Sequence, residues 1–564
     1  MLLRRMRLPL FILIASYTIS IIGFVMITGQ DDQGNPWRMD FFHAFYFVSF
    51  MGSTIGFGEI PYPFTDAQRL WTTFALYSTV ISWLYAIGAL LSIIQSRTFK
   101  QVISQAHFNH SVNRISEPFY IVCGYGDTSF LLLDAMITKD IRAVVIDSKQ
   151  TCIDNLELTD FPVDVPALCA DASDTTSLIS AGLKKDNCMG VLALTDRDEV
   201  NLMVSIAAKL ISPDIIVISR AENRDSEANM ASFNTDYIIN PFVSFAARLS
   251  ISIQTPMLFL LMEWFTDNRY RACDAALEPP KGRWIICGYG RFGKYFEKYL
   301  SAIGCEITII EADPVNTNAP NTAVKGRGTE AVTLKEADID NAVGIIAGTD
   351  NDPNNLSIIM TAQALNADLF CVIRQNHASN QTVFQSAKCH WIMQPGRIVA
   401  RKVLSRINMP LLFDFLRLVR HKNDSWAEPL VNDIAAMLGE TYPHCWTFTM
   451  NQTDAPAIVG LLTQSSINLS TILNDPSQRT RNLPCVPLLL KRDDTFTLLP
   501  EADTQLQMGD ALLFCGDETS ELKIEEALND IYLLNFLITG QDQPRGSLLR
   551  HLQKLPPMPK VDVM

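Results

Sequence analysis

The stretch DFFHAFYFVSFMGSTIGFGE, residues 40–59, lies between two long hydrophobic segments and decides the fold of the first hundred residues. Its last six residues, Thr54-Ile55-Gly56-Phe57-Gly58-Glu59, contain two glycines, which adopt positive φ without a steric penalty. Successive backbone carbonyls over Thr54, Ile55, Gly56, Phe57 and Gly58 can therefore be made to face one side. Four such strands around a common axis would line a narrow path with oxygens that replace the hydration shell of a cation.

The apolar segments on either side of this stretch are long enough to cross a membrane. Residues 8–28 and 70–95 carry no charge, and a hydrocarbon core of roughly 30 Å needs about 20 such residues. Residues 40–52 are apolar and aromatic but too short to span, so they predict a re-entrant pore helix that ends at the filter segment 54–59. Gly88 stands where the second span could bend as a gating hinge, and a packing position is the alternative.

Charge predicts the orientation of these spans. Three arginines precede the first span, basic residues follow the second, and Asp31 and Asp32 lie in the first loop. The positive-inside bias therefore predicts a multi-pass protein of the inner (plasma) membrane with both termini in the cytoplasm. For residues 1–30 the alternative is a cleaved signal peptide, but the apolar run exceeds a usual signal and no small-x-small cleavage site follows.

The chain after the second span is long enough for two or three domains. Its composition excludes some partners. A net charge of −14 argues against a nucleic-acid partner, which favours a basic face. The twelve cysteines are dispersed without a C-x-x-C spacing, and for a cytoplasmic location we expect them to be reduced.

An internal repeat organises this part of the chain. Residues 118–136 (PFYIVCGYGDTSFLLLDAM) and 282–300 (GRWIICGYGRFGKYFEKYL) share an apolar strand, the sequence C-G-Y-G and a helical pattern. In both copies short β-branched strands then alternate with helical patterns, which is typical of a parallel sheet covered on both faces. We expect two Rossmann-type domains with their crossover helices, at 118–280 and 281–440.

The second copy carries a complete dinucleotide fingerprint. Gly288, Gly290 and Gly293 form G-x-G-x-x-G between a strand and a helix, and Glu311 follows about 20 residues later. The glycines allow a tight turn and close approach of a pyrophosphate, the helix N-terminus attracts the anion, and the acid can bond ribose hydroxyls. Arg291 is predicted to hold the pyrophosphate.

The first copy departs from this fingerprint. Gly124 and Gly126 are present, but Ser129 replaces the third glycine, and Asp127 stands where the second copy has an arginine. An acid near a pyrophosphate is electrostatically unfavourable. Asp147 remains for a ribose, so this copy is either a nucleotide site or a purely structural Rossmann sheet.

These features together resemble a known family. The segment 54–59 resembles the T-V-G-Y-G filter of potassium channels, with Ile55 and Phe57 as conservative changes. With the two spans and the repeat, the chain resembles prokaryotic two-transmembrane potassium channels that carry tandem RCK (KTN) domains. The resemblance implies a homotetramer in membrane lipid, with potassium ions in the filter and eight RCK domains in a ligand-gated ring, and it implies no enzyme activity. It also implies a force-transmitting linker at 97–117.

The fold class that follows is a membrane α-helical pore over 1–96, with two transmembrane helices and a re-entrant pore helix. Two α/β Rossmann-like RCK domains follow, and the resemblance implies a small α+β C-terminal lobe with a tail at 441–564. The implied regulatory ligand is NAD or an adenine nucleotide such as ADP, and Asp171 is a further candidate for the nucleotide site. Arg374, at a strand end of the second copy, could equally bind a nucleotide phosphate or form an interdomain ion pair. An acid at the second strand end favours a free 2′-hydroxyl over NADP.

The filter's support departs from the family pattern. Tyr46 and Phe47 stand where two tryptophans are usual, Phe57 lacks the usual hydroxyl, and Phe50 replaces a carboxylate. We therefore expect an apolar buttress behind the filter. The backbone carbonyls that select potassium are unaffected by these changes.

Calcium is a further ligand that the resemblance raises, because some relatives bind it in the first RCK domain. The matching residues are Asp196 and Glu222, with Arg220 in place of a third acid. Calcium takes several oxygen ligands, and an arginine in the cluster opposes a divalent cation. The alternative is that Asp196 caps a helix and Glu222 is solvated.

Two other functions are compatible with parts of the sequence. A membrane-anchored NAD-dependent oxidoreductase would use the dinucleotide fingerprint, but the eight histidines are scattered and form no acid–base constellation. A pore-fused regulatory component of a potassium-uptake system is the other alternative. RCK subunits of those systems are generally separate soluble chains.

Overall fold

A computed structural model of the chain describes residues 2–58, 60, 62–266, 271–273, 275–462 and 466–541. The chain divides into two compact units, Met1–Ser111 and Val112–Met564. Glu59 of the predicted filter and the tail beyond residue 541 lie outside the described residues.

The first unit is built from two long helices and a short one between them. The elements that begin in it are α1 (Leu2–Met26), β1 (Gly29–Gln30), β2 (Pro36–Trp37), α2 (Phe41–Gly52), α3 (Asp66–Ile94) and α4 (Arg97–Arg114). Helix α2 begins after Asp40, whose carboxylate accepts the backbone N–H of His43 at 2.8 Å. Both α1 and α3 begin earlier than the apolar runs 8–28 and 70–95 predict, because the helices continue into polar residues with good helix propensity.

Polar groups on the two long helices are paired with one another. Segments Met6–Met26 and Asp66–Ile94 are long and apolar enough to cross a membrane by length and composition. Within them the hydroxyls of Ser16 and Ser78 are 2.7 Å apart. The indole Nε1 of Trp83 donates to the hydroxyl of Tyr17 at 2.7 Å. Such pairing is what a hydrocarbon environment requires of buried polar groups.

The second unit contains two copies of one alternating pattern. The elements of the first copy are β3 (Phe119–Cys123), α5 (Asp127–Ile137), β4 (Arg142–Asp147), α6 (Gln150–Leu158), β5 (Ala167–Cys169), α7 (Thr175–Ser180), β6 (Cys188–Ala193), α8 (Asp198–Ile211), β7 (Ile216–Arg220), α9 (Arg224–Ser232), β8 (Tyr237–Ile239), α10 (Pro241–Gln254) and α11 (Pro256–Thr266). Those of the second copy are β9 (Arg283–Cys287), α12 (Arg291–Ala302), β10 (Glu306–Glu311), α13 (Pro314–Thr317), β11 (Val324–Lys325), α14 (Ala331–Glu336), β12 (Gly344–Ala347), α15 (Asp352–Leu365), β13 (Phe370–Arg374), α16 (Gln381–Ser386), β14 (Trp391–Met393), α17 (Pro395–Asn408), α18 (Pro410–Val419) and α19 (Asp424–Leu438).

Each copy forms a six-stranded parallel sheet with the same strand order. The orders are β5-β4-β3-β6-β7-β8 and β11-β10-β9-β12-β13-β14. The central strands β3 and β9 are almost entirely buried, as expected for a sheet covered on both faces. In this doubly wound order the usual ligand position is a crevice at the carboxyl ends of the strands, where the strand order reverses. The predicted fold class of a helical membrane region followed by two Rossmann-like domains is confirmed.

The two copies exchange the helices that directly follow their sheets. Helix α17, which follows the second sheet, packs on α5, and its Val399, Ala400 and Val403 join the hydrophobic core of the first copy. Helix α10, which follows the first sheet, packs on α12, and its Phe242 and Phe245 join the core of the second copy. Each Rossmann core therefore depends on a helix from the other copy.

A C-terminal lobe completes the second unit. Its elements are β15 (His444–Thr449), α20 (Pro456–Leu462), α21 (Leu469–Leu473), β16 (Asn474–Asp475), β17 (Gln478–Asn482), β18 (Cys485–Arg492), β19 (Thr495–Leu498), β20 (Ala511–Gly516), α22 (Glu518–Asn529) and α23 (Ile531–Thr539). Strands β15-β20-β18-β19 form a four-stranded antiparallel sheet. Asp510, fully buried before β20, accepts Nε and Nη2 of Arg492, each at 2.8 Å.

Candidate functional site

The backbone after α2 alternates in conformation. The φ angle is +62° at Thr54, +65° at Gly56 and +71° at Gly58, whereas Ile55 and Phe57 keep negative φ. Alternation of this kind is expected of a strand whose successive carbonyls face one side. The N–H of Ile55 donates to the carbonyl of Phe50 at 3.1 Å, which anchors the segment to the last turn of α2.

The support of this segment within one chain is aromatic. The ring of Phe50 lies edge-on to that of Phe57, with centroids 6.4 Å apart. Phe50 also contacts Tyr46 and Phe47, at centroid distances of 5.3 and 5.2 Å. The apolar buttress that the sequence predicts is therefore present in the fold of the single chain.

Gly88 lies in the C-terminal half of α3, which continues unbroken past it to Ile94. A Cβ built on Gly88 would meet nothing within 4 Å, so the helix has no close packing partner at this point in the described chain. The space would allow the helix to move there, and the hinge role stays a prediction.

A second candidate site is a cavity of about 310 Å³ at the carboxyl end of the first sheet. This volume is at the lower end of the range usual for small-molecule sites. Both copies line it, because the exchanged helix α17 brings part of the second copy over the glycine loop of the first. The lining residues include Gly124, Gly126, Asp147, Asp171, Arg220, Arg374, Asn376 and Gly396.

Arg374 brings an unpaired cation to this cavity from the end of β13. Its Nε is buried without a hydrogen-bond partner, and no ion pair of its side chain occurs among the described residues. The guanidinium lies over the rings of Phe242 and Phe292, at 4.9 and 5.7 Å. Burial lowers the pKa of Arg374, and the negative charge of Glu222 offsets this only in part. An anionic ligand would supply the missing partner.

Arg220 contributes a second guanidinium from the end of β7. Its Nε is also buried without a partner, while its Nη2 donates to a carboxylate oxygen of Glu222. The sequence assigned Arg220 only to the calcium question. The structure instead makes it part of the wall of the first-copy cavity.

Asp147 and Asp171 line the same cavity and are held by their own loops. The Asp147 carboxylate accepts the backbone N–H groups of Tyr125 and Lys149, each at 2.7 Å. Asp171 accepts the hydroxyl of Ser173 at 2.7 Å and its N–H at 2.9 Å, and these bonds lower the pKa of Asp171. Each carboxylate has four lone-pair sites, so both retain acceptors for a ligand.

The two departures of the first fingerprint are accommodated differently. Asp127, predicted to repel a pyrophosphate, accepts the backbone N–H of Ala378 at 2.9 Å. Its carboxylate is thus engaged in a contact between the copies, which weakens the predicted repulsion. Ser129 is fully buried, and its hydroxyl has no hydrogen-bond partner in the described part of the chain.

The second copy has the complete fingerprint, and two aromatic rings pack beside its glycine loop. A Cβ on Gly293 would lie 2.1 Å from the carbonyl oxygen of Gly288, so the third glycine is required by packing within the copy. The first residues of α10 and α12 bring Phe242 and Phe292 together, with ring centroids 5.7 Å apart. Both rings are about 1% exposed.

Arg291 forms an ion pair in this structure, and its predicted role in holding a pyrophosphate stays a prediction. Its Nη2 lies 3.0 Å from a carboxylate oxygen of Glu222, which comes from the first copy. Glu222 therefore stands between Arg220 and Arg291. Asp196 lies at the first-copy cavity. Throughout the described residues no group of three or more His, Cys, Asp or Glu side chains could hold a metal, so the predicted calcium site is not assembled.

Glu311 is placed like Asp147 but is more enclosed. Its carboxylate accepts the N–H of Tyr289 at 2.5 Å and that of Asp313 at 2.9 Å, and the residue is 9% exposed. Gly290 has open space around its Cα. Ribose binding by Glu311 stays a prediction, and its present role is to hold the glycine loop.

Several lining residues were missed because they lie far from the glycine loops in sequence. Comparison of the two copies with each other carries the signal. Counting from the strand-end arginines and from the prolines that begin α10 and α17 pairs Glu222 with Asn376 and Phe242 with Gly396. A charged residue and a bulky residue thus face one glycine loop where neutral and small residues face the other.

Known proteins match both units. Residues 10–96 match the ion channel domain model, and residues 120–241 and 284–395 each match the TrkA-N domain. Potassium channel protein 1 of Methanocaldococcus jannaschii is 22% identical over 204 residues, which cover 36% of this chain and 60% of that protein. Voltage-gated potassium channel Kch of Escherichia coli is 25% identical over 214 residues, covering 37% and 48%.

The chain therefore spans less than two thirds of the length of these curated relatives. A solved structure described as the GsuK channel bound to NAD covers 93% of this chain at 14% identity, with a TM-score of 0.44, and 98% of its own length is matched. Residues 10–96 thus match the ion channel domain and the two repeats match the TrkA-N domain, in a chain that is similar to proteins named as potassium channels.

Proposed function

We propose that this chain is the subunit of a homotetrameric, potassium-selective channel of the inner membrane, gated by a nucleotide in the first-copy cavity. The observation that carries the pore is the alternation of φ along residues 54–58, directly after a short apolar helix. Rings of backbone carbonyls from four such strands replace the hydration shell of a potassium ion. The similarity to proteins named as potassium channels supports the same ion here.

The cavity fits a dinucleotide or nucleotide with two phosphates. Arg374 and Arg220 would hold the phosphates, because both residues line the cavity and carry guanidinium groups whose buried Nε atoms have no hydrogen-bond partner in the described chain. The N-terminus of α5, which begins after Gly126, adds backbone N–H groups. Asp147 and Asp171 would accept hydrogen bonds from ribose hydroxyl or amino groups. We therefore propose NAD or ADP as the ligand class, and we do not propose calcium.

Gating follows from the construction of the cavity by both copies. A ligand that contacts both the glycine loop of one copy and Arg374 of the other restrains their relative position. It shifts a closed–open equilibrium only if its affinity differs between the two states. The movement would pass through residues 97–117 to the second span, with the Rossmann-like domains on the cytoplasmic side.

The test is single-channel recording of the purified chain in a planar bilayer under a potassium/sodium gradient. We expect a reversal potential close to that of potassium and an open probability that changes when NAD or ADP is added on the cytoplasmic side. Equal permeability to sodium would overturn the assignment of the filter. Selective current that ignores both nucleotides would overturn the assignment of the cavity.

Two outcomes would favour the alternatives. Absence of current from intact, tetrameric protein, together with restored potassium uptake when a separate transport subunit is present, would support a regulatory component of an uptake system. Nucleotide-dependent oxidation of a substrate, followed at the absorbance of NADH, would support an oxidoreductase.

A further inference from the structure

The two glycine loops face equivalent positions of the opposite copy, but different residues occupy those positions. Two positions in each copy face the glycine loop of the other copy. One is the second residue after the arginine that ends the fifth strand, β7 or β13. The other is the residue after the proline that begins the exchanged helix. The first loop faces Gly396 and Asn376, whereas the second loop faces Phe242 and Glu222. The helix after the first loop begins with Asp127 and Thr128, and the helix after the second loop begins with Arg291 and Phe292.

At the first loop the facing residues leave space. A Cβ on Gly396 would lie 2.9 Å from the hydroxyl oxygen of Thr128, so glycine is what lets α17 approach α5 this closely. Asn376 adds no charge at the cavity wall. The two guanidinium groups at the cavity, Arg220 and Arg374, keep unpartnered nitrogens.

At the second loop one facing residue is a bulky aromatic and the other is a carboxylate that pairs with an arginine. The ring of Phe242 packs on Phe292, and Arg291 lies over the same Phe242 ring with its guanidinium carbon 6.0 Å from the centroid. The carboxylate of Glu222 is 3.0 Å from Arg291. The ring of Phe242 thus stands at the position of Gly396 in the first site. The carboxylate of Glu222 neutralises Arg291, the first residue of α12.

We infer that each chain binds one nucleotide, at the first copy only. In the second copy Phe242 fills the space that a nucleotide phosphate would need, and Glu222 pairs with Arg291, the cation that the phosphate would need. This inference rests on the proposed function, since it concerns which of two loops admits the ligand. An incoming diphosphate at the second loop would have to displace the Glu222 carboxylate from Arg291 and would be repelled by it at close range. Phe242 and Glu222 are therefore residues that determine specificity through exclusion.

The test uses a matched pair of substitutions in the full chain, Gly126→Asp and Gly290→Asp. Both glycines cap the helix after their loop, with φ of −113° and −72°, and a Cβ on either would meet nothing within 4 Å. A Cβ therefore causes no steric clash at either position, and we expect both variants to fold. Each places one carboxylate beside its own glycine loop, where it would repel a phosphate.

Isothermal titration calorimetry with NAD and with ADP on the detergent-solubilised chain gives the number of sites. We expect one site per chain in the native protein, binding at least ~10-fold weaker in Gly126→Asp, and an unchanged site number and affinity in Gly290→Asp. Two sites per chain, or loss of binding in Gly290→Asp, would overturn this inference and leave the proposed function standing. No binding of either nucleotide by the native chain would overturn the nucleotide part of the proposed function, and this inference with it.

Discussion

Arg374→Gln is the substitution that separates a ligand-binding role of the first-copy cavity from a purely structural one. The glutamine keeps polar atoms in the cavity wall but removes the buried positive charge. In the native chain this charge has no ion pair within the described residues. It lies over the rings of Phe242 and Phe292, and the negative charge of Glu222 offsets its burial only in part. We expect opposite effects on binding and on ligand-free stability.

The expected loss of affinity is about 2–3 kcal/mol, or roughly 30- to 150-fold in Kd, which is the usual contribution of a hydrogen bond to a charged group. The guanidinium is already desolvated in the ligand-free chain, so binding does not incur that cost again. For the ligand-free protein, two cation–π contacts of about 1–2 kcal/mol each are lost, while a desolvation penalty of several kcal/mol is removed. The variant should therefore be at least as stable as the native chain without ligand.

Calorimetry with NAD and ADP measures the first effect, and thermal unfolding without ligand measures the second. At a concentration of 100 times the native Kd, ligand stabilisation of about 2.7 kcal/mol should fall below ~1 kcal/mol in the variant. Arg417→Gln is the matched control, because it removes the same charge from a side chain that is 53% exposed and pairs with Asp414 at 3.3 Å. It should change neither quantity by more than about 0.5 kcal/mol. An Arg374→Gln variant that binds normally and unfolds more easily would refute the reasoning.

Three further substitutions test other parts of the structure. Gly56→Ala puts a Cβ on a residue with φ of +65°, so we expect loss of potassium-selective current in bilayers, whereas Gly88→Ala, with open space around it, keeps its selectivity. Lys402→Met removes a largely buried ammonium that donates to the hydroxyl of Ser244 at 2.7 Å. Burial lowers the pKa of Lys402 from 10.5 to about 8, so the substitution should raise the free energy of unfolding at pH 7 by at most about 3 kcal/mol, measured by thermal unfolding. Between pH 8 and 10.5 the unfolded native chain binds more protons than the folded one, so native stability rises with pH and that of the variant does not. Asp510→Asn breaks the buried pair with Arg492 and should lower the free energy of unfolding by about 3 kcal/mol.

Each of these expectations has a contrary result. Potassium-selective current from Gly56→Ala would show that the left-handed backbone there is not required for selection. Parallel stability profiles of the native chain and Lys402→Met above pH 8 would show that Lys402 titrates normally. An unchanged unfolding midpoint of Asp510→Asn would mean that the Arg492 pair contributes nothing to the lobe.

The sequence predicts well what depends on local pattern. Spans 8–28 and 70–95, the segment 54–58 after a short apolar helix, and the two alternating strand–helix series are all set by hydrophobic periodicity and by glycines close together in the chain. Both helices begin before the predicted spans and end one or two residues before the predicted ends, because an uncharged run indicates the part of the chain in the membrane and not the bounds of the helix.

The assignment of the nucleotide site was not predictable in the same way. The fingerprint predicts a nucleotide site in the second copy, where Gly293 completes the pattern and Arg291 could bind a phosphate. The geometry favours the first copy, because the residues that complete each site come from the other copy through the exchanged helices. The contact between Glu222 and Arg291 joins a loop of the first copy to a helix of the second, so the spacing of residues within either copy does not predict it.

The exchange of α10 and α17 also sets the order of events during synthesis. The first sheet is complete at Ile239, but the helix whose Val399 and Val403 finish its core begins at Pro395, about 155 residues later. A ribosome adding ~5–20 residues per second needs roughly 8–30 s to cover that distance. During this interval the apolar side of α5, which includes Leu132, has no cover from its own chain. The nascent first domain must therefore be sheltered by a chaperone or stay partly unfolded until the second has emerged, although its whole sheet has already been translated.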